Sequence, residues 1–135
     1  MRFEVSRDRK KLASDSGSGI VGFVLVAPLL VSVFIAIAQI AMLVADKSVL
    51  DSAAAIGART ASAADATNEQ GRSAVLNVLA SRGSGFKPEK IIIKQVSNHG
   101  FIFVSVSVTR VVEIPFVGHR IFMTGEARAI DEASL

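Results

Sequence analysis

From Gly19 to Ala45 the chain carries no charged side chain, and this run constrains everything that can follow it. Sixteen of the residues from Ile20 to Val44 are Ile, Leu, Val or Phe. At roughly −0.3 to −0.6 kcal/mol each, they favour lipid by about 5–10 kcal/mol together. Gln39, Pro28 and Gly22 weaken that preference slightly and add no charge. As a helix, Ile20–Ala45 would be about 39 Å long at ~1.5 Å per residue. A hydrocarbon core is about 30 Å thick, so the segment can span it with some tilt or a kink. The expectation is a single-pass protein that uses the lipid bilayer as its first partner.

The charges set the expected orientation. Residues 1–18 hold Arg2, Arg7, Arg9, Lys10 and Lys11 against Glu4, Asp8 and Asp15. Arg7, Arg9, Lys10 and Lys11 stand directly before the span, where cations hold a segment on the cytoplasmic side. Past the span, Lys47 and Arg59 are the only cations in the next twenty residues. The expected layout is a basic cytoplasmic leader (1–18), a transmembrane helix (19–45) and an extracytoplasmic domain (46–135) at the cell membrane. The pI of about 9.7 reflects this leader. There is no basic stripe and no Tyr or Trp to stack on bases, so nucleic acid is not an expected partner. A cleaved signal peptide is the rival reading, since Ala36-Ile37-Ala38 has the small-x-small form. Its apolar region is normally only about 7–15 residues, shorter than this run.

The exported part has about 90 residues, enough for one small core and not for two. The chain has no Cys, so no disulfide supports it, and a domain this small then needs its membrane helix or partners. From Asp46 to Ala66 there is no proline and much alanine, the strongest helix former. Val49, Leu50, Ala53, Ile56, Gly57 and Thr60 or Ala64 recur at three and four, giving one mostly apolar face. The spacing predicts a single helix over roughly residues 20–64. A second helix is expected from Asn68 to Arg82, capped by Thr67 and Gln70 and stopped at Gly83, with Val75, Leu76, Val78 and Leu79 buried. Beyond Pro88 the pattern becomes β. Lys90–Val96 is rich in isoleucine, Asn98-His99-Gly100 is a turn, and Phe101–Val108 alternates with Ile102, Val104, Val106 and Val108 on one side. His119–Ile130 reads as a third strand with Ile121 and Met123 inward. The fold class is therefore α+β: a long N-terminal helix, a short one, and a three-stranded antiparallel meander that a helix must cover.

No arrangement of residues suggests an enzyme, a metal centre or a cofactor. His99 and His119 are lone histidines in turns, and Asp131 and Glu132 are tail residues. Gly83-Ser84-Gly85 lacks the preceding strand and the Gly-Lys-Ser/Thr ending of a phosphate loop. No small-molecule substrate is expected. The span carries small residues at i,i+4, Ser32 with Ala36 and Ala41 with Ala45. Such positions let helices approach closely, and Gly22, Ala54 and Gly57 extend the set. Pro28 removes a helical hydrogen bond. The leader ends in Ser14-Asp15-Ser16-Gly17-Ser18-Gly19, small residues that suit a flexible, protease-accessible junction.

Gly17-Ser18-Gly19-Ile20-Val21-Gly22-Phe23-Val24-Leu25-Val26-Ala27-Pro28-Leu29-Leu30 resembles the start of TadE-like proteins, bacterial pseudopilins or minor pilins of the tight-adherence (Flp) pilus system. Gly17, Phe23 and Pro28 occupy the family's glycine, aromatic and proline positions. Leu50-Asp51-Ser52-Ala53-Ala54-Ala55-Ile56-Gly57-Ala58-Arg59 resembles its Ala-Ala-x-x-Gly-Ala-Arg segment. The resemblance implies a structural role in pilus or secretion assembly, with other pilin-like subunits and the membrane proteins of the assembly machinery as partners. It also implies cleavage by a prepilin peptidase after Gly17, leaving Ser18 as the new terminus. Two positions depart from the pattern: the family's glutamate is Gly22 here, and the acid before the second glycine is Ile56. A chain without that glutamate docks differently, keeps its leader, or takes part without joining a filament. The alternative reading is a membrane-tethered module that binds an envelope component.

Overall fold

The computed structural model describes residues 8–115 and 117–132, with side chains from residue 19 onward. Its elements run α1 (Asp8–Ser62), α2 (Asn68–Ala80), β1 (Lys90–Asn98), β2 (Phe101–Glu113) and β3 (Arg120–Ile130). The α+β layout expected from the sequence is the one observed. The chain divides into two compact units, the first ending at Ile40 and the second beginning at Ala41.

The first unit is helical from Asp8 onward. Helix thus extends through Ser14–Gly19, where a flexible junction was expected. Two glycines there each weaken a helix by about 1 kcal/mol relative to alanine but do not end it. Along the apolar run most side chains are exposed: Phe34 is 79% exposed, Phe23 73% and Leu25 72%. Pro28 lies inside the helix and offers no N–H to the carbonyl four residues earlier. Ser32 Oγ donates to the carbonyls of Pro28 at 2.7 Å and Leu29 at 3.0 Å, so this hydroxyl is used within its own helix.

The second unit is built on the C-terminal turns of α1. Leu50, Ala53, Ala54, Ala58 and Ala61 are buried there, and Gly57 lies in the same buried stripe. Ile56 is 43% exposed, so it leaves the inward face on which the spacing placed it. A stripe through 50, 53, 54, 57, 58 and 61 follows the 3.6-residue period more closely. Helix α2 has its capping box: Thr67 N–H donates to Gln70 Oε1 at 2.8 Å, and Gln70 N–H to Thr67 Oγ1 at 3.3 Å. It buries Val75 and Leu79, while Leu76 is exposed rather than buried. The helix ends at Ala80, capped by Ser81, and Gly83 takes a positive φ of 122° in the loop that follows.

The sheet has the order β1-β2-β3 and is antiparallel throughout. His99 and Gly100 alone connect β1 to β2, at φ 50° and 87°, the two positive values of a tight primed hairpin turn. Val104, Val106 and Val108 are fully buried. Their neighbours in the register are Ile91, Ile93 and Gln95 on one side and Gly125, Ala127 and Ala129 on the other. Small residues on β3 and on α1 leave room for close packing, and the valines of β2 fill the layer between.

Candidate functional site

Three glycines of the second unit leave no room for a side chain. A methyl group on Gly57 would collide with Val75 Cγ2 and sit 3.2 Å from the Gly71 carbonyl oxygen. One on Gly71 would sit 2.7 Å from Ala61 Cβ and 3.0 Å from the Gly57 carbonyl oxygen. Helices α1 and α2 therefore cross backbone to backbone at this pair. Gly125 presses β3 onto α1, since a methyl group there would meet the Leu50 carbonyl and, at 2.6 Å, the Asp51 amide nitrogen.

A polar cluster follows where the apolar run of α1 gives way to charge. Arg110 Nη1 donates to Asp46 Oδ2 at 2.8 Å, with side chains only 20% and 25% exposed. Its guanidinium carbon lies 4.0 Å from the centre of the Phe86 ring, within cation–π range. Lys47 Nζ donates to Asp51 Oδ1 at 2.6 Å and to the Thr124 carbonyl at 2.7 Å. Beside them Thr109 and Thr124 share a hydroxyl hydrogen bond of 3.0 Å across β2 and β3. These contacts tie α1 to the middle and edge strands of the sheet.

The structure distributes the residues singled out from the sequence. Ala54 and Gly57 are buried inside the second unit, so their close packing is used by the chain itself. Ser32, Ala36 and Ala41 are exposed and Ala45 is partly covered. At Gly22 nothing lies within 4 Å of where a methyl group would sit. Gly17, Ser18, Arg9, Lys10 and Lys11 lie in α1, with side chains outside those described; Arg7 lies outside the described residues. Cleavage after Gly17 would need this stretch of helix to unwind, which its glycines and serines make easier.

Gly71, Gly125, Arg110 and Asp46 were not singled out from the sequence. The two glycines had a signal, because a glycine inside a helix or strand often marks a close approach of another backbone. Arg110 had none: its partners are distant in the chain and lie on other elements. Among the described residues no group of three or more His, Cys, Asp or Glu is placed to hold a metal ion. The helix from Gly19 onward is long and apolar enough to cross a membrane.

No curated protein matches the chain, and no solved structure does. Residues 17–59, all within α1 and ending at Arg59 in its last turn, match the family described as TadE-like protein.

Proposed function

We propose that this is a non-enzymatic, single-pass membrane protein of pilus or secretion assembly, acting as a TadE-like pseudopilin or minor pilin. The observation that carries the reading is the family match at residues 17–59, which falls on the same helix that holds the bare apolar run. In this reading the leader stays in the cytoplasm, held by Arg7, Arg9, Lys10 and Lys11, and the α+β unit is exported. The exposed part of α1 partitions into lipid and meets the apolar helices of other pilin-like subunits and of the assembly machinery. Ser32, Ala36, Ala41 and Ala45 are the positions at which such helices approach most closely. Gly22 contributes no carboxylate, so docking in the membrane rests on packing and not on neutralising a neighbour's terminal amine.

The test is site-directed photo-crosslinking of the full chain in its own cells, with the photoreactive residue at Ala36. Adducts with pilin-like or assembly-machinery proteins, together with loss of pili or secretion on deletion of the gene, are the expected results. Normal assembly in the deletion strain would reject this function. Adducts with envelope components alone would favour a tethered binding module.

A further inference from the structure

Among the described residues of the strands and their connections, the two most exposed large apolar side chains lie on the β2–β3 hairpin, Phe122 at 74% and Val117 at 59%. The direction of β2 along α1 says where they lie. Val106 Cγ1 is 3.5 Å from the methyl position of Gly57, whereas Arg110 reaches Asp46. As β2 advances by four residues, α1 recedes by eleven, so within the second unit the strand runs toward the end of α1 that begins at Ala41. Strand β2 continues to Glu113, paired with Arg120. At ~3.3 Å per residue this carries the hairpin about 10 Å beyond the Asp46–Arg110 pair. That is the side of residues 41–45, the last uncharged turn of the apolar run. A bilayer's polar zone is only about 5–7 Å deep on each side of the hydrocarbon.

We propose that the tip of this hairpin inserts into the polar–apolar boundary of the bilayer that α1 crosses, as a second, shallow membrane contact. The inference rests on α1 being a membrane span. Val117 and Phe122 supply the apolar contact, with Ile114 and Ile121 half-covered beside them. Phe116 lies outside the described residues. The loop is suited to such a place because much of its backbone is satisfied internally. Ile114 N–H donates to the His119 carbonyl at 3.0 Å and Gly118 N–H to the Ile114 carbonyl at 3.2 Å. Gly118, at φ 67°, turns the chain back toward β3. Backbone polar groups left open would oppose entry into lipid. Arg120 stands opposite Glu113 in the register, on a long stem that can keep its charge in the headgroup layer. At the other end of the sheet Phe101 and Ile130 are also exposed, at 48% and 46%, but nothing there says what covers them.

The chain has no cysteine, so single labels can be placed in the full-length protein. Val117→Cys, Asn98→Cys and Val31→Cys would each carry a nitrobenzoxadiazole label, in vesicles of phosphatidylcholine and phosphatidylglycerol at three to one. The expected result is blue-shifted emission at position 117, at least twofold stronger quenching by shallow spin-labelled lipid than at position 98, and protection from aqueous iodide. Iodide quenching at 117 equal to that at 98, with position 31 still protected, overturns the proposal and leaves the span intact. Protection at 117 without lipid quenching means that protein covers the tip, and also overturns it. Exposure of position 31 to iodide overturns the span, and the proposal with it.

Discussion

Gly57 and Gly71 lie backbone to backbone: the methyl position of each is 3.0–3.2 Å from the other's carbonyl oxygen. Neither carbonyl can rotate away as a side-chain tip could. Gly57→Ala would gain about 1 kcal/mol of helix propensity but collides with Val75 as well. Overpacking of this kind costs typically 1–3 kcal/mol, so Gly57→Ala is expected to be mildly destabilising and Gly57→Leu to prevent the second unit from folding. Circular dichroism melts of the full chain in detergent check this, with an expected fall of about 4–8 °C per kcal/mol for a domain of this size. A Gly57→Leu protein with an unchanged melt would show that α1 and α2 do not cross here.

Gly125→Ala is expected to be the most damaging single methyl. Its contacts are all main chain, the Leu50 carbonyl and the Asp51 amide, so β3 must separate from α1. A loss at the upper end of about 1–3 kcal/mol is expected, against Gly85→Ala as a control, since nothing lies within 4 Å of that position. Hydrogen exchange should rise first in β3. Equal stability of the two variants would contradict the packing described.

The Asp46–Arg110 pair is half-sheltered, and removing one partner strands the other. Arg110→Ala also loses the stacking on Phe86, worth roughly 0.5–1 kcal/mol at partly exposed sites. Asp46→Asn keeps the shape and a hydrogen-bond acceptor and should cost less. The order Arg110→Ala worse than Asp46→Asn, read from thermal midpoints, is the expected outcome. The reverse order would mean that charge and not stacking dominates.

Thr67→Ala removes the oxygen that accepts from Gln70 N–H and so breaks the capping box. Loss of a cap costs about 0.5–2 kcal/mol. Thr67→Ser retains the hydroxyl and should restore most of the loss. Failure of serine to rescue would assign the effect to the lost methyl.

The direction of insertion can be tested with Arg7, Arg9, Lys10 and Lys11 all changed to Gln. A reporter active only outside the cytoplasm, fused after Leu135, is expected to be active on the original chain and to lose activity on this variant. Equal activity would remove these cations as the orienting signal.

The local parts of this fold were legible from the sequence. The apolar run, the Thr67–Gln70 box and the His99-Gly100 turn are each decided by residues within a few positions of one another, and strand alternation gave Val104, Val106 and Val108 their inward side. What was not legible was long-range. Ile56 fits an apolar face on spacing alone, and only the position of α2 and the sheet turns it outward. Strand β2 extends to Glu113 because β3 pairs with it from Phe103 to Glu113, which no local pattern near Val108 states. Arg110 meets Asp46 across 64 residues. Of the candidate site, the exposed apolar run was visible as composition, whereas the glycine contacts depend on which backbones come together.

Leu50, Ala53, Ala54, Ala58 and Ala61 belong to the same helix as the apolar run and also form one wall of the hydrophobic core. A protease cutting between Asp46 and Ser62 would not liberate an intact second unit; it would strip the valines of β2 of the surface they close against. The helix that carries the apolar run is thus also a structural member of the second unit, and a cut in its C-terminal turns costs the fold as well as the connection.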